Sequence, residues 1–483
     1  MPTTMDGPAS PTLPASASMR HPSDSRFAGQ RVHFIGAGGS GMSGLANILI
    51  DSGAIVTGSE PRPNAQTFAL TQRGAQLSRD QIGELLSREV DLVVRTAAIP
   101  DTNREYVAAR ALGIRVVKYA ELLGQVMQER LGIAVAGTHG KSTTTAMIAF
   151  ALVENGCDPS FVVGGTVPQL GGGSRSGMGS SFVAEACEFD RSFHNLRPSV
   201  AIITNIEEDH LDCYKNIDEI IASFRTFAEL VPADGLIIAN GEDRRVLEAL
   251  AGLKTRIELT GLSDRFVWST RETGIVDGCH TGEVSYKGKV VAALKLGVPG
   301  RHNVYNATTA IAACHACGVA PQDAADALAR FTGVDRRMTD VGRCNGAIII
   351  DDYGHHPTEI RATLRALQER YTPARLFCVF QPHQHSRTRF LLEDFATSFA
   401  DATEAVVADI YFVRDSESEK QRVSSRDLVT RIEQSGSRAR HLANFSDIIA
   451  YLRTELRSGD LMVTMGAGNV WEIGEELKDR PNQ

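Results

Sequence analysis

The sequence predicts an α/β protein with three domains in series, and three observations carry that reading. The chain has 483 residues, about three times a typical domain of roughly 150. Its apolar segments are short and alternate with helical stretches, the pattern of strands and helices around parallel sheets. That alternation restarts twice, at GIAVAGTHGKS (132–142) and at AIIIDDY (347–353). With 42% hydrophobic and 22% charged residues, the composition excludes disordered, collagenous and coiled-coil classes. A net charge of -8 offers no basic surface to a nucleic acid. The longest apolar run, Ala146 to Val153, falls far short of the roughly 18 residues of a membrane span, so no membrane partner is expected. Eight scattered cysteines lack the spacing of a disulfide scaffold, which fits a reducing, cytoplasmic compartment.

Each element follows in order. Residues 1–27 hold several Pro and Ser and no continuous apolar stretch, which predicts a disordered tail. From Arg31, RVHFIG, AGGSGM, SGLANILIDSG and AIVTGSE read as strand, glycine turn, helix and strand, opening a Rossmann-like domain over 28–128. A second strand, glycine turn and long helix open the central domain, 129–335, with strands expected at FVVGG, FVAEA, VAIITN and LIIAN. Between Arg256 and Pro299, short strands with glycine turns predict antiparallel hairpins. A helix follows from about Asn303 to Cys317. AIIIDDY, RLFCVF, EAVVADIY and DLMVTMGAG then build a Rossmann-like third domain, 336–483.

Two glycine turns carry chemistry. Gly36, Gly38 and Gly41 form GxGxxG between a strand and a helix, with Gly39, Ser40 and Met42 in the same turn and Glu60 closing the next strand. Such a turn lets backbone approach a diphosphate, and the acid can take a ribose hydroxyl; taken alone it reads as dinucleotide binding. The second turn, Gly137-Thr138-His139-Gly140-Lys141-Ser142-Thr143, suits a triphosphate and makes the central domain P-loop ATPase-like. Its N–H groups can cradle phosphates, Lys141 can neutralise the β and γ oxygens, and the Ser142 hydroxyl can ligate Mg²⁺. It departs from GxxxxGK[ST] at Val135. Glu185 and His210 end or follow neighbouring strands, so both can reach the same cation. DDYGHHPTEI (351–360) and QPHQHSRTR (381–389) put polar clusters at strand ends of the third domain. Arg336-Arg337 at the domain junction is either an exposed linker or a phosphate clamp. Cys314 and Cys317 lack a second ligand pair and read as core packing.

Together GAGGSGM, GTHGKSTT, TNIEEDHLD, GRHNVYNA, DDYGHHPTEI and FQPHQHSRT resemble the Mur ligases from about Arg31 to Gly468, and within them the branch that adds L-alanine to UDP-N-acetylmuramate. The resemblance implies that Gly36, Gly38, Gly39, Ser40, Gly41 and Met42 hold the UDP-sugar rather than NAD. It implies an ATP site of residues 137–143 with Asn303 facing adenine, Asn306, Arg337 and Asp352. Ser142, Glu185 and His210 match ligands of Mg²⁺, which Mn²⁺ could replace. Tyr353, His355, His383 and Arg387 match positions around the incoming alanine. The implied catalytic residues are Lys141, His210, His355 and His383, with His355 or His383 as general base. A monomer or weak homodimer is expected. Three departures stand out: Gln384-His385 where the family has Arg-Tyr, Cys187 and Phe189 within ACEFD where ADESD is usual, and Asn469 in place of Asp. No lysine occurs between Asn216 and Leu253, which matches the alanine-adding branch and not its carbamylated-lysine sisters. The rival readings are a recycling ligase that joins a tripeptide to the same sugar, an NAD-dependent oxidoreductase and a non-catalytic ATP-binding scaffold.

Overall fold

The computed structural model describes residues 25–479 apart from Ala97, Leu211 and Arg414, and it forms three sheets in chain order. The first contains β1 (Arg31–Ile35), β2 (Ile55–Ser59), β3 (Gln76–Ser78), β4 (Leu92–Arg95) and β5 (Arg115–Lys118), ordered β3-β2-β1-β4-β5 and wholly parallel. The tail expected over 1–27 lies outside the described residues as far as 24. Beyond it, Phe27 is buried in a core that the first and central domains share.

The central sheet has ten strands: β6 (Leu131–Ala136), β7 (Ser160–Val167), β8 (Gly172–Arg175), β9 (Ser181–Glu185), β10 (Val200–Ile203), β11 (Leu236–Asn240), β12 (Arg256–Gly261), β13 (Trp268–Val276), β14 (Cys279–Tyr286) and β15 (Lys289–Lys295). Their order is β15-β14-β13-β12-β11-β10-β6-β9-β7-β8. The expected antiparallel block starts later than the sequence suggested. β12 pairs in parallel with both β11 and β13, and the antiparallel ladder begins at Trp268. β12 is covered, with Glu258 and Thr260 buried, and Trp268 Nε1 donates to Glu258 Oε2 at 2.8 Å. Coverage on both faces is the condition for parallel strands.

The third sheet contains β16 (Thr339–Cys344), β17 (Ala347–Asp352), β18 (Leu376–Phe380), β19 (Glu404–Val407), β20 (Ala439–His441) and β21 (Leu461–Met465), ordered β16-β17-β21-β18-β19-β20. Only β16 runs antiparallel to its neighbour. Its two faces bury separate cores, around Phe380, Phe395 and Phe399 on one side and Phe377, Ile448 and Leu452 on the other. The helix His302–Ala316 buries Cys314 in the central core, as the packing reading expected. Adjacent parallel strands β9, β6 and β10 release their loops at one sheet edge, and β17, β21 and β18 do so in the third domain. Ligands gather at such edges.

Candidate active site

The phosphate loop follows β6 and leads into the helix Lys141–Glu154. Its shape needs glycine twice. Gly137 has φ 142°, Gly140 has φ 80°, and a side chain on Gly140 would meet Asn306 Oδ1 at 2.8 Å. The loop is tied down from below. Thr138 N donates to the Asn205 carbonyl at 3.1 Å, His139 N donates to Asn205 Oδ1 at 2.8 Å, and the Thr204 hydroxyl donates to the His139 carbonyl at 2.6 Å. Thr143 and Ser142 face the adjoining cavity with His139 and Gly140. Lys141 Nζ folds over the loop, donating to the Gly137 and Thr138 carbonyls at 2.5 and 3.0 Å and to Glu188 Oε1 at 2.9 Å. Burial works against its charge, yet Glu188, Cys187 and Glu185 together more than offset this and hold its pKa above the ordinary lysine value.

Three carboxylate or imidazole groups stand beside this lysine. The Ser142 hydroxyl donates to Glu185 Oε1 at 3.1 Å, and Gly164 N fixes the other oxygen at 2.7 Å. His210, at the left-handed φ of 54°, sets Nε2 3.6 Å from Glu188 Oε1 and 3.8 Å from Asp209 Oδ2. The sequence singled out Ser142, Glu185 and His210. It did not single out Glu188, which bridges the lysine and histidine and whose Oε2 is buried without a partner.

A cavity of about 480 Å³ lies between the central and third domains, lined by the loop and by Asn303, Asn306, Arg337 and Asp352 among others. Asn303 spends its amide inside the helix, donating to the Pro299 carbonyl at 2.7 Å and accepting from Asn306 Nδ2 at 2.9 Å. Arg336 is neither linker nor clamp. It binds Asp351 Oδ2 at 2.9 Å and the Gly466 carbonyl at 2.9 Å, bracing the third domain. Arg337 faces the cavity, 3.7 Å from Glu359 Oε1. Burial pushes the Asp352 carboxyl up to about 6 against the pull of Arg337; it accepts the Met338 and Gly354 amides at 2.9 and 2.6 Å.

Tyr353, His355, His383 and Arg387 do come together. Neighbouring ring centroids lie 5.5 Å apart for Tyr353 and His355 and 6.0 Å for His355 and His383. Arg387 Nη1 is 3.2 Å from His383 Nδ1. Burial, reinforced by Arg387, lowers His355 to about 3. A base needs a pKa nearer neutrality, so this burial weighs against His355 in that role. Arg387 also crosses the domain seam, its Nε and Nη2 donating to Asp209 Oδ1 at 3.0 and 2.7 Å. A second crossing starts in the phosphate loop itself: His139 Nδ1 lies 3.3 Å from Glu359 Oε1 and its Nε2 3.4 Å from Glu207 Oε2, which accepts the Thr358 hydroxyl at 2.7 Å. Glu207 and Glu359 went unnoticed in the sequence. Glu359 sits at the third helical position after His356 and completes a capping box there, a position with a sufficient structural reason for an acid.

In the first domain, Gly36, Gly38 and Gly39 lie in the turn after β1, Ser40 and Gly41 open the helix that follows, and Met42 on that helix is buried in the core. Glu60 braces the turn itself. Its carboxylate accepts the Gly38 and Arg62 amides at 2.9 and 3.0 Å.

Family models match three stretches in order: the catalytic domain of the Mur ligase family over residues 31–131, the Mur ligase middle domain over 135–314 and the Mur ligase glutamate ligase domain over 336–468. The UDP-N-acetylmuramate–L-alanine ligase of Caldanaerobacter subterraneus subsp. tengcongensis is 42% identical over 450 residues, covering 93% of this chain and 97% of its own. That of Pelotomaculum thermopropionicum is 43% identical over 453 residues with the same coverage. The crystal structure of a UDP-N-acetylmuramate-alanine ligase from Thermotoga maritima has a TM-score of 0.76 at 26% identity, covering 92% of this chain and 98% of that one. A murein peptide ligase from Psychrobacter arcticus has a TM-score of 0.68 at 27% identity, covering 93% and 98%.

Proposed function

This chain belongs to the Mur ligase family, and on that premise we propose that it is an ATP-dependent ligase joining L-alanine to the carboxylate of UDP-N-acetylmuramate. The observation that carries the reading is the meeting of a phosphate loop and an arginine-bearing third domain around one cavity. The alanine assignment rests on the curated relatives, which cover nearly the whole chain.

The chemistry proceeds in two steps. A muramate carboxylate oxygen attacks the γ-phosphorus of ATP; the new O–P bond forms as the bond to the β-phosphate oxygen breaks, giving an acyl phosphate and ADP. The amine of alanine then attacks the acyl carbon, a C–N bond forms, and phosphate leaves with the carboxylate's oxygen. Lys141, drawn from Glu188 and the loop carbonyls, neutralises phosphate oxygens, and the loop N–H groups hold them. Arg337 closes on the phosphates from the third domain. The turn from Gly36 to Gly41 holds the UDP portion at the helix start. Ser142, Glu185 and His210 offer oxygen and imidazole donors, and the unpartnered oxygen of Glu188 beside them is what a divalent cation would satisfy, so a Mg²⁺-like ion fits. Bound there, the cation would offset charge on the transferring phosphoryl group. His383 is the better candidate to take the amine's proton, given the low value of His355. Closure of the third domain shields the acyl phosphate from water.

The test is ADP release with UDP-N-acetylmuramate and a panel of amino acids and murein tripeptide. Release that depends on both the sugar and L-alanine, with the alanyl product found by mass, is expected. Release with tripeptide but not alanine would move the chain to the recycling branch.

A further inference from the structure

The buried carboxylate between Lys141 and His210 has a task that the loop motif does not assign. Glu188 is 3% exposed. Its backbone is locked: the Tyr214 hydroxyl donates to its carbonyl at 2.6 Å, and Arg191 N at 3.0 Å. One side-chain oxygen holds Lys141 at 2.9 Å and stands 3.6 Å from His210 Nε2; the other meets no donor. A buried acceptor left unmatched is costly, because it has lost water and gained no donor in return. Nearby, each oxygen of Glu185 accepts one hydrogen bond, from Ser142 and from Gly164. Both carboxylates act on the Lys141 ammonium, and the unmatched oxygen of Glu188 sits where a cation would relieve it.

We propose that Glu188 is a shared carboxylate, which binds the divalent cation beside Glu185 and His210 and, until the cation arrives, keeps Lys141 folded back over its own loop. The inference rests on the cation site described above. When the cation takes the carboxylate, the ammonium is released toward the phosphates, so metal occupancy and lysine availability are coupled through one side chain.

Replacing the carboxylate should then have two effects of opposite sign, which misfolding cannot produce. Electron paramagnetic resonance of Mn²⁺ titrated into the nucleotide-free full chain should show Glu188→Gln binding about tenfold to a hundredfold more weakly than wild type, with Glu188→Asp in between. In chelator, without metal, a non-hydrolysable ATP analogue should bind Glu188→Gln severalfold more tightly, because Lys141 has lost its competing partner. Unchanged Mn²⁺ affinity in Glu188→Gln, while Glu185→Gln and His210→Ala lose it, overturns the role of Glu188 and leaves the cation site standing. Unchanged affinity in all three variants removes the cation site and the inference together.

Discussion

Arg387 and Asp209 show how much one pair of side chains can carry. Both are less than one-tenth exposed, and they come from different domains. Burial works against Asp209, but Arg387 holds its carboxyl well below the usual range. Removing one partner of a buried pair costs about 3–5 kcal/mol, because the other charge is stranded. Arg387→Ala should therefore lower kcat/KM for alanine by roughly a hundredfold or more. UDP-sugar binding, measured by calorimetry, should stay unchanged, since the first domain makes no use of this pair; a variant with wild-type alanine kinetics would count against the seam. His139 supplies a pH signature. Burial opposes its charge, but hydrogen bonds to Glu207 and Glu359 raise it to about 9, with His356 packed 4.6 Å away. A histidine raised above its ordinary 6.5 contributes stability that is complete below that value and is lost as pH rises through about 9. Denaturant unfolding between about pH 7 and pH 10 should show this loss, and His139→Gln should flatten it; parallel profiles would refute the assignment.

Among the elements, the turn before the helix Lys141–Glu154 is the least tolerant. Gly140→Ala forces a left-handed φ on a residue with a side chain, at about 1–3 kcal/mol, and pushes against Asn306. We expect binding of an ATP analogue to weaken by about tenfold or more, read by titration calorimetry, whereas unchanged affinity would mean that the loop can be reshaped without loss. Strands with strong apolar runs, such as β6, β10, β17 and β21, were legible because each is buried almost throughout. Strands β3, β8, β16 and β20 were not: their residues are largely polar and half-exposed, so no burial pattern marks them. The site divides in the same way. Lys141, Ser142 and Glu185 announce themselves by motif and strand end. Glu188, Glu207 and Glu359 reach the site through partners far away in sequence, such as Lys141, His139 and Thr358, and no local spacing encodes those meetings.

At the scale of the molecule, the three domains are joined in two different ways. The first and central domains share one apolar core that runs from Phe34 and Leu45 to Phe193 and Phe224. The third domain keeps its cores to itself and meets the central domain through polar contacts, His139 of the phosphate loop with Glu359 and Asp209 with Arg387. Polar seams reopen at less cost than apolar cores, so the architecture holds the first domain fixed against the phosphate loop and leaves the third domain the freer to move. That division of labour serves a reaction whose intermediate must be kept from water.

In the proposed reaction the γ-phosphoryl group of ATP passes to the sugar's carboxylate before the amine attacks. Turnover of UDP-N-acetylmuramate labelled with ¹⁸O in that carboxylate tests it most directly. One labelled oxygen is expected in each phosphate released, transferred when the C–O bond of the acyl phosphate breaks. Unlabelled phosphate accompanying alanyl product would contradict it.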